Sequence, residues 1–139
     1  MRKLATKRVD RDQAGAYLEK ARGFLVDAET MVSLAEFSGN GVSVVAVHAA
    51  IAFADAVGIR AREIKSTGGD HTDAIDVLQN ALGRLTDADR AALRDLRYVL
   101  QRKDEVSYTA NLVSSHDATL ILSKLRSFAN WAETRYSAL

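Results

Sequence analysis

A chain of 139 residues, 47% of them hydrophobic, has the size of one domain and enough apolar surface for a continuous core. Nineteen Lys and Arg against eighteen Asp and Glu leave a formal charge of +1. That excludes the strongly basic balance of a dedicated nucleic-acid binder, so any RNA contact has to be local. The absence of cysteine excludes a disulfide framework, a thiolate metal site and a cysteine nucleophile.

Residues 1–11 form a basic arm carrying Arg2, Lys3, Lys7, Arg8 and Arg11. No long apolar run with a small-residue cleavage site follows, so the arm does not read as a secretory signal, and a cytoplasmic location is expected. Before Asp10 the arm is expected to lack fixed structure. Residues 12–139 read as one helical domain.

Between Asp12 and Glu36, Ala14, Tyr17, Ala21, Phe24, Ala28, Met31 and Ala35 recur at intervals of three and four, which predicts a first helix ending near Ser38-Gly39. From Val42 to Ile59 nearly every residue is small or apolar, so a second helix is expected to be buried almost all round. Its alanines, among them Ala46, Ala49, Ala50 and Ala56, suit close approach by neighbours. A membrane span of about 18 residues is at the short limit, and His48 and Asp55 would be costly in lipid, so none is expected. The helix is predicted to continue through Arg60, Arg62 and Lys65, whose charges suit a helix C-terminus, until Ser66-Thr67-Gly68-Gly69 breaks it.

A shorter third helix is expected from about Thr72 to Leu82. Thr86 with Asp89 three residues on has the form of a capping box, starting a fourth helix with Ala92, Leu93, Leu96, Val99 and Leu100 inward. Ser114 with Asp117 starts a fifth, whose stripe is Ala118, Ile121, Leu122, Leu125, Phe128, Ala132 and Tyr136. No stretch alternates apolar and polar residues over a useful length, so no strand is expected. The fold class is all-α, an up-and-down bundle of four to five helices.

Chemistry is harder to find. His48 and Asp55 lie about two turns apart on one face of the second helix, where they could act together or serve only as core groups. Asp70-His71 sits where the glycine loop meets the third helix and suits a cap. Convergent metal ligands are missing, so neither metal nor cofactor is expected. Gly68-Gly69 lacks the strand and Gly-Lys-Ser or Gly-Lys-Thr ending of a phosphate loop. Arg94, Arg97, Arg102 and Lys103 make a basic run, although Asp87, Asp89, Asp95, Asp104 and Glu105 are interspersed and could neutralise it.

Two segments, VVAVHAAIAFADAVGIRAREIKSTGGDHTDAIDVL from Val44 to Leu78 and LRYVLQRKDEVSYTAN from Leu96 to Asn111, together resemble the HEPN superfamily. The likeness is to small actinobacterial HEPN-like proteins with a His-Ala-x-Ile-Ala-x-x-Asp-Ala helix and a following Asp-His-x-x-Ala. It spans most of the chain, from about Tyr17 to Trp131. The resemblance implies a helical bundle that homodimerises, often beside a nucleotidyltransferase-like antitoxin or within phage-defence systems. Many such proteins are metal-independent ribonucleases whose arginine is followed, five to seven positions on, by a histidine. Histidine would move a proton at the ribose 2′-hydroxyl, and arginine would stabilise charge on the phosphate.

Here that register departs from the family pattern. From Arg102 the histidine position falls on Ser107, Tyr108 or Thr109; from Lys103-Asp104 it falls on Tyr108, Thr109 or Ala110. His116 lies 14 positions beyond Arg102. A degenerate ribonuclease site is therefore expected, with Arg102, Lys103, Asp104, Ser107 and Tyr108 left either as a set that binds RNA, a nucleotide or a cognate protein partner, or as residues that end the fourth helix and pair within the chain. An active ribonuclease toxin would need Arg102 or Tyr108 to work with a different base, His48, His71 or His116. A third reading, a structural or regulatory interaction protein, would use large side chains left over from the bundle, such as Phe37, Trp131, Tyr136 and Leu139.

Overall fold

A computed structural model describes residues 4–68, 71–103 and 109–139, with the side chains of His71 and Thr72 excepted. Among the described residues the chain forms five α-helices: α1 (Ala14–Val32), α2 (Gly39–Arg62), α3 (His71–Leu82), α4 (Asp87–Leu100) and α5 (Ser115–Ala138). The all-α bundle expected from the periodicity is what the chain adopts.

α2 runs through the middle, packed against α1, α3, α4 and α5. Its six alanines from Ala46 to Ala56 are all buried, and Phe53 and Val57 fill the space between them and the other helices. By length and composition α2 could cross a membrane, and 78% of its apolar window is buried inside the bundle. Leu96, Leu100, Ile121, Leu122, Leu125 and Phe128 close the core from α4 and α5. Each such side chain contributes about 1.5–3 kcal/mol when fully removed from water.

The helix starts follow their caps. Thr86 Oγ1 accepts from the Asp89 backbone N–H at 3.1 Å while Asp89 Oδ2 accepts from the Thr86 N–H at 3.0 Å, a complete capping box. Ser114 Oγ accepts from the Asp117 N–H at 3.0 Å and opens α5.

Three expectations need correction. α1 stops at Val32 rather than near Ser38, and α2 opens at Gly39 rather than Val42, because Ser38 is its N-cap, accepting from the Gly41 N–H. The approach of the segment before α5 fixes that start. Asn40 Oδ1 accepts from the Val113 N–H at 2.9 Å, and a Cβ on Gly39 would collide with the Val113 carbonyl oxygen. Gly39 is thus a packing requirement inside the first turn rather than a break between helices.

α2 also ends earlier than the sequence suggested, at Arg62, with Glu63 left-handed at φ 55° and ψ 39°. Glycine normally serves there. Here tertiary bonds hold the turn: the Glu63 carbonyl accepts from the Val9 N–H, and its carboxylate accepts from the Arg11 N–H and Arg8 Nη2.

Those same bonds explain the third correction. The part of the arm from Thr6 to Arg8, expected to lack fixed structure, forms a short strand β1 that pairs antiparallel with β2 (Ile64–Ser66). Three residues a side are too few for a period-two pattern to register. β2 crosses close to α2 at Gly58, whose Cβ would lie 2.8 Å from the Ile64 carbonyl oxygen. This crossing brings Lys65 back onto α2.

Candidate functional site

Two arrangements of polar side chains lie on opposite partners of the central helix. The first is the groove between α4 and α5. α4 places Asp95 and Tyr98 toward α5, and Arg102 follows one turn beyond Tyr98, just past the helix end at Leu100 and its cap Gln101. The Arg102 guanidinium lies 4.8 Å from the centre of the Tyr98 ring, and Lys124 Nζ of α5 approaches the same ring at 5.8 Å. Both cations and the tyrosine are half-buried, as is Lys103, the residue that follows Arg102 in the chain. A ring quadrupole attracts cations to its face and holds them without neutralising their charge.

Burial raises the Asp95 carboxyl above its usual range, an effect opposed by Lys124 and Arg94. Asp87 pairs instead with Arg90 at 3.0 Å, and Asp89 turns inward. Two of the carboxylates that could have neutralised the basic run are therefore committed elsewhere. Arg94 and Lys124 act on Asp95, and Arg102 and Lys124 share the Tyr98 ring, so cations from both sides gather at this joint. Of the predicted set, Arg102 falls at this groove and Lys103 follows it in the chain; Asp104, Ser107 and Tyr108 lie outside the described residues.

Second is a cleft of about 120 Å³ between α1, α2 and the start of β2. His48 and Asp55 do share one face, as their spacing predicted, and both line it. Asp55 is buried, and Lys65 Nζ stands 3.5 Å from its Oδ2. Burial pushes the Asp55 carboxyl up to about 6, with Lys65 and then Lys20 opposing the rise. Lys65 also lies 5.2 Å from the Tyr17 ring centre, and the His48 ring packs at 5.7 Å against Phe24.

The histidines are thus spread among elements. His48 contacts α1, His116 is exposed in the first turn of α5, and His71 opens α3 with its side chain outside the described residues. Among the described residues no three His, Cys, Asp or Glu side chains converge as a metal-ligand set. The large side chains considered as partner anchors are mostly occupied. Trp131 Nε1 donates to Asp89 Oδ1 at 3.0 Å and its ring stacks on Phe128, Tyr136 lies under Arg60, and Phe37 packs on the core, while Leu139 is exposed.

Sequence reasoning did not find Tyr17, Lys20, Lys65 or Lys124 as site residues. Nor did it find Tyr98, although a tyrosine four residues before Arg102 is a spacing that could have pointed to it. Lys65 and Lys124 had no local signal, since each reaches its site only through tertiary packing. No family model, curated protein or solved structure matches this chain.

Proposed function

We propose that this protein is a non-catalytic binding module that takes the phosphate backbone of RNA in the α4–α5 groove, as a cytoplasmic homodimer of HEPN-like type in a toxin–antitoxin or defence setting. The observation that carries the RNA reading is the convergence of Arg102 and Lys124 on Tyr98. Half-buried guanidinium and ammonium groups held on an aromatic ring are partly desolvated and oriented before a ligand arrives. The arginine fork matches two phosphate oxygens, and Lys124 adds a point charge. The HEPN resemblance supports the setting and the dimer, and the missing histidine in the register after Arg102 supports binding without cleavage.

The test is a fluorescence-anisotropy titration of labelled single-stranded RNA over a salt series, with Arg102→Ala and Lys124→Ala variants. Each lost phosphate contact lowers the slope of log affinity against log salt by about 0.7 for a single strand. Unchanged affinity and slope in both variants would rule out the groove. Cleavage of the RNA in EDTA, lost in Arg102→Ala, would instead make the protein a metal-independent ribonuclease.

A further inference from the structure

The cleft between α1, α2 and β2 is not used by this reading, and its composition is unusual for a purely structural joint. A carboxylate is buried at its floor with a single lysine at 3.5 Å, a long contact for a buried ion pair. Asp55 sits where any residue of similar size without a charge would be cheaper to bury. The walls are the rings of Tyr17 and Phe24, and the rim carries Lys20 of α1 and His48 of α2, both exposed. Two ammonium groups against one carboxylate leave the cleft positive. Its volume of about 120 Å³ admits a few heavy atoms and excludes a nucleotide.

We propose that this cleft is a binding site for a compact oxyanion, a small carboxylate or a phosphate, held by Lys20 and Lys65 against the Tyr17 and Phe24 rings above Asp55. Lys65 is shared between Asp55 and the incoming anion, while Lys20 supplies a charge that solvent otherwise screens. His48 donates from α2 when a ring N–H faces the ligand. Asp55 is a like charge to the ligand, so removing that charge strengthens binding. In the intact protein, lowering the pH achieves the same effect, because burial already favours the protonated carboxyl. Titratable groups facing Asp55 are Lys65 of β2, Lys20 and Tyr17 of α1, and His48 about two turns back on the same face of α2.

The experiment is a two-dimensional amide NMR titration of the full chain with inorganic phosphate and, separately, acetate, against chloride at constant ionic strength. Saturable shifts confined to residues around Tyr17, Ala52 and Lys65 are expected. Saturation by phosphate alone identifies the ligand class as phosphate, and saturation by acetate as well identifies a general carboxylate and phosphate site. Lys20→Ala, an exposed change that leaves the core intact, is expected to weaken binding by about threefold or more, with Lys20→Arg restoring it. Asp55→Asn is expected to tighten acetate binding and to reduce its dependence on pH between about 7.5 and 5.5. Linear shifts equal to those in chloride, or a saturable response that Lys20→Ala leaves unchanged, would overturn the proposal. RNA binding at the α4–α5 groove is read separately, so either result stands without the other.

Discussion

Asp55 and Asp89 are both buried aspartates on helices packed in one core, yet they are driven in opposite directions. Burial weighs most on each. At Asp89 it is outweighed by the Thr86 backbone N–H, the Trp131 indole N–H, the Arg135 charge and the Thr86 hydroxyl, so the carboxyl is held below its usual range. Arg135 Nε completes that setting at 3.4 Å. At Asp55, among the described residues, only Lys65 approaches closely, with Lys20 farther out, and burial wins. Depth alone therefore does not decide a carboxylate's state; the number of donors aimed at it does. One aspartate ties α4 to α5, and the other lines a cleft.

The largest expected effect of breaking this contrast is at Asp89. Asp89→Ala removes half of the capping box and leaves Trp131 Nε1 and Arg135 without their acceptor, so a loss of about 3–5 kcal/mol is expected in denaturant unfolding. A loss below about 1 kcal/mol would mean the joint between α4 and α5 is held by packing alone.

Next in size is Asp55→Asn, with the opposite sign. A carboxyl raised from 3.8 to about 6 is protonated more readily in the folded than in the unfolded chain. Stability from this group is then greatest below about pH 4 and falls as pH rises to about 6, above which it stays low. Asp55→Asn is expected to stabilise the protein by about 1–3 kcal/mol at neutral pH, and the difference from the wild type is expected to shrink toward pH 4. Asp89 behaves in reverse: its folded pKa is depressed, so its contribution is present above about pH 4 and is lost as the pH falls through the folded value. The differences measured for the two variants against pH therefore bend in separate windows. Parallel profiles would erase the distinction.

Thr86→Ala isolates the cap, leaving Asp89 with Trp131 and Arg135, and is expected to cost about 1 kcal/mol in the same assay. The smallest effect is at the rim. Arg90→Ala breaks an exposed (i, i+3) pair with Asp87 and is expected to change stability by less than about 0.5 kcal/mol.

The difference between these aspartates also marks what the sequence could show. Thr86-Asp89 and Ser114-Asp117 were legible because a cap and its partner are three residues apart, and α4 and α5 begin where those pairs predict. His48 and Asp55 were legible as a face of one helix for the same local reason. The end of α2 was not, because Glu63 takes a left-handed conformation that no glycine announces and that bonds from Val9 and Arg11 sustain across some fifty residues of chain. β1 and β2 escaped for a related reason: their pairing follows from that turn. Lys65 and Lys124 became site residues only once β2 and α5 had docked, so each candidate site was half visible, on the helix that carries its motif, and half hidden on the element that packs against it.

The most direct test of the functional account is amide NMR of the full chain titrated with single-stranded RNA, read residue by residue. The account predicts shifts around Tyr98, Arg102 and Lys124, lost at raised salt, with the Tyr17, His48 and Lys65 cleft left unmoved. Shifts centred on that cleft, or no shift at the α4–α5 groove at low salt, would contradict it.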